Sequence, residues 1–206
     1  MISIYGPPGS SAGRCYWTLE EAGVPWEAAP FEFRRRDNRS PEFLAMNPNG
    51  KVPVLRDGDT VLWESVAIDM YLADKYKPGL MGSTLEDRAR IYQWSIWSQV
   101  EYQAPMIQAF IQKVFVPEER RDQGVIDRNL EKVAPLNELL NEHLRERSYM
   151  VGPDFTLADL HVASVAKINA QVGTDLGTLG HLQRWLDRML ERPAARKVAE
   201  LEAGPG

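Results

Sequence analysis

The hydrophobic pattern of the chain changes character once, across residues 77–83 (KPGLMGS), and that change calls for two structural regimes. Before it, short strand-like runs alternate with helix-spaced ones. After it, from Thr84 to Gly204, only helical patterns follow. Alternating strands and helices can bury a sheet, whereas an all-helical stretch must bury its helix faces on one another. The expectation is two units, 1–76 and 84–206, joined by a linker at 77–83. A length of 206 residues suits two small domains.

Residues 2–5 (ISIY) read as a strand entering the loop Gly6-Pro7-Pro8-Gly9. Ser10 or Ser11 can cap a helix that runs to about Glu21 and stops at Gly23. Residues 24–30 suit a second strand, 31–40 a basic loop, and 41–46 (PEFLAM) a short helix opened by Pro41. Residues 52–55 and 61–63 pair as a hairpin, and Glu64-Ser65 opens a helix reaching Tyr76. The first unit is thus a four-stranded sheet with helical connections. In the second, helices are expected at about 84–115, 118–147, 156–171, 178–191 and 193–201. Pro105 should kink or divide the first of these, and Pro135 the second.

Apolar residues make up 44% of the chain, enough for a core, and the net charge of −5 disfavours a nucleic-acid partner. The basic exception is Arg34, Arg35, Arg36 and Arg39, which suits either a solvated loop or an anionic ligand nearby. One cysteine, Cys15, rules out an internal disulfide and C-x-x-C redox chemistry. It reads as a buried structural thiol. No apolar run is long enough to span a membrane, and the start lacks a signal-peptide pattern. A reducing cytoplasm is the expectation. His143, His161 and His181 show no metal or triad spacing, so no metal is expected. The G-x-S-x-G elbow of serine hydrolases is absent.

Three places can carry chemistry. Pro53 between two valines removes a sheet donor. It marks either an ordinary edge strand or a cis Val52-Pro53 peptide that frees the Val52 backbone to pair with a peptide-like ligand. Glu64-Ser65 lies where a strand feeds a helix N-terminus. That is either a plain cap with an acidic first turn or a receptor for a carboxylate and ammonium on one carbon. Ser10 and Ser11 sit at another helix start, where a hydroxyl can donate to a thiolate and keep it ionised. The alternative is a cap and a surface serine. Thr156-Leu157-Ala158-Asp159 has capping-box spacing, with Phe155 and Leu160 as its staple.

Four segments together resemble the cytosolic glutathione transferases of the serine type (phi, theta and related bacterial classes). They are Y5-G-P-P-G-S-S-A-G-R14, P41-E-F-L-A-M-N-P-N-G-K-V-P-V-L55, L62-W-E-S-V-A-I-D-M-Y-L-A73 and V151-G-P-D-F-T-L-A-D-L160. The resemblance implies a thioredoxin-like first domain with Pro53 cis, an all-helical second domain, glutathione as co-substrate and a homodimer. Val52 would pair with the cysteinyl part of glutathione, and Glu64 and Ser65 with its γ-glutamyl end. Lys51 would serve the glycine end. Asn38 stands where these classes often have histidine, and Arg39 can offer charge to the glycine carboxylate instead. Ser10, four residues before Arg14, fits the thiolate-stabilising position, with Ser11 as its rival; Tyr5 precedes that position. A small apolar electrophile would lie between the loop 7–12 and the first long helix of the second domain, with Trp97, Tyr102, Met106 and Phe110 as candidates for its wall, though side chains this aromatic on a long helix equally suit a core or a dimer interface. The implied activity is detoxifying transfer of glutathione. The same scaffold also permits peroxidase, reductase, dehalogenase or isomerase chemistry, or a non-catalytic binding module.

Overall fold

The computed structural model describes residues 1–204; residues 205 and 206, at the end of the expected second unit, lie outside the described residues. Two compact units form. One comprises Met1–Met81 with the chain from Glu191 onward, the other Gly82–Leu190.

The first unit runs β1 (Ile2–Tyr5), α1 (Ala12–Ala22), β2 (Trp26–Ala28), α2 (Pro41–Met46), β3 (Val54–Asp57), β4 (Thr60–Trp63) and α3 (Ser65–Tyr76). The sheet order is β2-β1-β3-β4. β1 and β2 are parallel, and β3 is antiparallel to both β1 and β4. This is the mixed thioredoxin-like sheet that the sequence suggests. The Val52-Pro53 peptide is cis. Pairing of β3 begins at Val54 rather than Val52, because Pro53 has no N–H to give to the ladder. Residues 31–40 are not shapeless: Phe33–Arg35 and Asp37–Arg39 each form a 3₁₀ turn.

Helix α1 is buried from Ala12 through Leu19, and again at Glu21. Such complete burial needs cover on more than one side. α3 packs on α1, and so does the last helix, α10 (Pro193–Ala203 in the chain). The sequence reading leaves that helix with the helical domain. Here Ala194, Ala195 and Val198 bury their side chains in the first unit. Arg192 grips Glu21 with both arms of its guanidinium, at 2.6 and 2.8 Å. No local pattern in the sequence records which distant helix such an apolar stripe will meet.

The second unit contains α4 (Leu85–Trp97), α5 (Ala104–Phe110), α6 (Gln123–His143), α7 (Leu157–Ala166), α8 (Ile168–Val172) and α9 (Gly180–Leu190). Two π-helical turns, Ser98–Gln103 and Ile111–Phe115, interrupt the first long helical run. Pro105 lies just past the first. It cannot donate to the carbonyl four residues back, and the widened turn absorbs that gap. Pro135, expected to kink or divide its helix, does not divide it: α6 continues through it. Glu131, whose carbonyl loses its partner, is on the exposed face, where water can replace the bond.

The capping box of α7 is formed as read, from Thr156 and Asp159. Asp159 also accepts from the Met150 N–H at 2.8 Å and the Trp185 indole at 3.1 Å. Burial pushes its carboxyl up to about 6 against these donors, so it is ionised at neutral pH.

Two stability predictions follow from this packing. Arg192→Ala strips the Glu21 carboxylate, which is only 8% exposed, of its countercharge. It should cost about 2 kcal/mol in urea unfolding, with the Trp17 indole bond limiting the loss. Lys197→Ala, which removes the exposed partner of Glu20, should cost under about 1 kcal/mol. Separately, burial lowers the His143 pKa below its ordinary 6.5, and the Arg147 charge lowers it further. The unfolded chain therefore takes up the proton first. The stability contributed by neutral His143 is present above pH 6.5 and is lost as pH falls through the lower folded value. Unfolding measured across pH 5–7 should show a shallower slope in His143→Gln.

Candidate functional site

The register of three strands aligns the candidate segments. Tyr5 of β1 pairs with Val54 of β3, and Val54 pairs with Trp63 of β4. One residue beyond this trio stand Gly6, Pro53 and Glu64. The loop holding Ser10 and Ser11, the Val52-Pro53 lead-in and the Glu64-Ser65 exit thus leave the sheet at the same end. This gathers residues from positions 10, 52 and 65 of the chain.

Local contacts tighten the cluster. Gly6 has φ +125°, and a Cβ there would stand 2.8 Å from the Val52 Cβ and 3.2 Å from the Ala12 Cβ. Glycine therefore lets the serine loop leave β1 while touching both Val52 and the start of α1. Gly13 plays a similar part, since a Cβ there would run into the Pro8 carbonyl oxygen. Cys15 of α1 donates its thiol hydrogen to the Ser65 carbonyl at 3.6 Å, tying the starts of α1 and α3. Asn38 donates its amide to the Gly50 carbonyl at 2.9 Å. A Cβ on Gly50 would lie 3.0 Å from Arg39 Nη1, which places that guanidinium beside the residue preceding Lys51. Asn38, Arg39 and Lys51 therefore gather at one edge of the cluster.

Glu64 has φ +71° and ψ +110° at the cap position of α3, with no cap hydrogen bond from its side chain. A non-glycine residue in this region carries backbone strain, of a kind found where function holds a residue in place. Ser65 is 7% exposed at the first position of α3, next to the free N–H groups of that helix start. The strained Glu64 and the close approach at Gly6 are features that the sequence reading does not supply. Only the position of Gly6 directly after a strand hints at one of them.

The two serines differ. The Ser10 hydroxyl donates to the Pro7 carbonyl at 2.7 Å and accepts from the Ala12 N–H at 3.2 Å. Ser11 holds the cap position of α1 but makes no side-chain cap bond. Both are half-buried. Cys15 is fully buried, and burial, reinforced by Asp69, pushes its thiol well above the ordinary range. It is a neutral, structural thiol. Tyr5 packs edge-on against Phe43. Arg34, Arg35 and Arg36 are exposed, with Arg35 paired to Glu32 at 3.1 Å.

Of the four candidate wall residues, two belong to the core. Tyr102 and Met106 are fully buried. Tyr102 closes a hydrogen-bonded ring with Asn137 and Asn169 in the core of the helical unit, which leaves it no surface for a substrate. Trp97 stacks on Tyr102, and Phe110 meets Phe115 edge-on; both are half-buried. Among the described residues, no group of three or more His, Cys, Asp or Glu side chains is arranged to hold a metal ion. No described helix is long and apolar enough to cross a membrane.

Comparison with known proteins agrees with this geometry. Residues 2–74 match the family "Glutathione S-transferase, N-terminal domain", and residues 102–193 match its C-terminal domain. Glutathione S-transferase 4 of Zea mays is 36% identical over 97% of this chain and 92% of its own length. The structure of maize glutathione S-transferase I in complex with an atrazine glutathione conjugate superposes with a TM-score of 0.91. It is 34% identical and covers 100% of this chain and 99% of that one. A theta class enzyme from Xanthomonas axonopodis pv. citri with glutathione bound gives a TM-score of 0.89 at 33% identity, covering 95% of each chain. The fold is that of a cytosolic glutathione transferase. This chain belongs to that family, alongside its plant phi and bacterial theta-like members.

The cluster predicts an asymmetry between two glycines of the serine loop. Gly6→Ala meets Val52 at a positive φ and should lose about 2 kcal/mol or more in urea unfolding. Gly9→Ala has nothing within 4 Å and should stay within about 0.5 kcal/mol of the parent.

Proposed function

We propose that the chain is a glutathione transferase that holds the glutathione thiolate with Ser10 for attack on a small apolar electrophile. The observation that carries this reading is the alignment of Tyr5, Val54 and Trp63, which brings the three binding segments to one sheet end. The γ-glutamyl carboxylate suits the N–H groups at the start of α3 and the Ser65 hydroxyl, and its ammonium suits Glu64. The backbone of Val52 pairs with the cysteinyl residue as a short strand would. Lys51 and Arg39 supply charge for the glycine carboxylate, while Asn38 holds the Gly50 turn between them. The sulfur then lies by the start of α1.

There the Ser10 hydroxyl turns from the Pro7 carbonyl and donates to the sulfur. The field of α1 adds to the stabilisation of the anion. The thiol proton leaves to solvent. The thiolate lone pair forms the new sulfur–carbon bond, and either a leaving group departs with its electrons or a proton completes addition to an activated double bond. The inert Cys15 supports transfer over a reaction through a protein-bound disulfide. Homodimerisation and cytoplasmic residence are part of the same proposal, supported by family membership.

Ser10→Ala should leave glutathione affinity by calorimetry within about threefold, since the peptide contacts remain. It should raise the pKa of the bound thiol, read from thiolate absorbance, by about one unit or more. An unchanged titration in Ser10→Ala, with the shift seen in Ser11→Ala, would transfer the role to Ser11.

A further inference from the structure

Between Phe31 and Lys51 the chain carries five basic side chains, Arg34, Arg35, Arg36, Arg39 and Lys51, against three acidic ones, Glu32, Asp37 and Glu42. The whole chain has a net charge of −5, so this stretch stands out as cationic. Arg39 and Lys51 serve the glycine carboxylate in the proposed complex. Arg34, Arg35 and Arg36 have no part in it.

The acidic groups of the stretch are spent on its own structure. Glu32 pairs with Arg35 at 3.1 Å, and the Asp37 carboxylate accepts from the Glu32 N–H at 2.7 Å. Glu42 lies in the first turn of α2, where the helix start favours a negative charge. Among the described residues, Arg34, Arg36, Arg39 and Lys51 form no ion pair. The unpaired cations therefore outnumber the single carboxylate that glutathione brings to this end.

Arg36 is held at the centre of the run. Its N–H donates to the Phe33 carbonyl at 2.9 Å, and its carbonyl accepts from the Arg39 N–H at 2.8 Å. A turn closed this way keeps the Cα atoms of Arg36 and Arg39 within about 7 Å. Asn38 of the same turn donates to the Gly50 carbonyl at 2.9 Å, which ties the turn to the residue before Lys51. Arg36 thus stands one turn from the edge where Arg39 and Lys51 gather. Its φ is +61°. Among the described residues, Arg36 and Glu64 alone are non-glycine residues at positive φ. Glu64 belongs to the γ-glutamyl end of the proposed site and Arg36 adjoins the glycine end. A turn that merely reversed the chain would favour glycine or asparagine at such a φ.

We propose, resting on the glutathione-binding reading, that the site prefers thiol peptides with an acidic residue in place of the final glycine, and that Arg36 meets the added carboxylate. The terminal carboxylate engages Arg39 and Lys51, as that of glutathione would, and the side-chain carboxylate takes the guanidinium one turn away. Glutathione itself leaves Arg36 to water. An amide or a cationic side chain at the last position gains nothing from it. A long polyanion such as a nucleic acid would run from this short stretch onto a chain that is otherwise net negative.

The test titrates the full chain by calorimetry with γ-Glu-Cys-Gly, γ-Glu-Cys-Glu and γ-Glu-Cys-Gln. The last has the size of the second without its added charge. At about 20 mM ionic strength γ-Glu-Cys-Glu should bind roughly threefold more tightly than γ-Glu-Cys-Gln, the range of an exposed ion pair. The advantage should vanish near about 0.5 M salt. Arg36→Asn, which suits the positive φ, should abolish it and leave the affinity for γ-Glu-Cys-Gly within about twofold. Arg36→Lys should keep it. Equal binding of the acidic and amide peptides by the parent chain would overturn the proposal, as would a preference that survives in Arg36→Asn or in high salt. Those outcomes leave glutathione binding intact, whereas failure of all three peptides to bind would overturn both.

Discussion

The pairing of Val54 with both Tyr5 and Trp63 is the contact on which the candidate site depends. Strand register is all-or-nothing, because a slip of one residue turns every side chain to the other face. Val54 and Leu55 are fully buried on opposite faces of the sheet, so a slip would carry Leu55 into the exposed place of Arg56 or Arg56 into the buried place of Leu55. With the register held, the serine loop, the Val52-Pro53 lead-in and the start of α3 must emerge together. The site thus inherits its geometry from the burial of a few apolar side chains.

Holding three chain segments so close carries a backbone cost. Glu64 sits in a conformation that suits glycine better, and Gly6 leaves no room for a side chain against Val52. Packing elsewhere in the first unit offsets this. α1 lies under the serine loop and is covered by α3 and by a helix from the far end of the chain. Two of its buried polar groups are satisfied within the unit: Glu21 by Arg192 and Trp17, Thr18 by a carbonyl one turn back. A helix start held this firmly can aim a hydroxyl with little loss of entropy when a ligand arrives.

The helical unit shows the same division between local and distant causes. The α7 capping box was readable because its four residues are contiguous and their hydrogen bonds are local. The further use of Asp159 was not, since Met150 and Trp185 reach it from other parts of the chain. Tyr102 and Met106 show an ambiguity that only packing resolves. Aromatic and sulfur-bearing side chains on a long helix have the composition of a pocket wall, and only packing shows that these two are core. Pro135 does not end α6, and the carbonyl that loses its hydrogen bond there belongs to Glu131, an exposed residue.

By itself the sequence determined the alternation of strands and helices up to residue 76 and the helical remainder. Turn chemistry, capping and hydrophobic period are properties of neighbouring residues, whereas the segments proposed to bind glutathione are marked by family resemblance. The sequence left the Val52-Pro53 peptide open between cis and trans, and Ser10 beside Ser11. Tertiary structure decided the first. It also decided the alignment of the three segments, the strain at Glu64 and the docking of the last helix on α1. Each of these depends on which distant surfaces meet, and the free energy of that meeting belongs to pairs of segments that no local window of sequence contains.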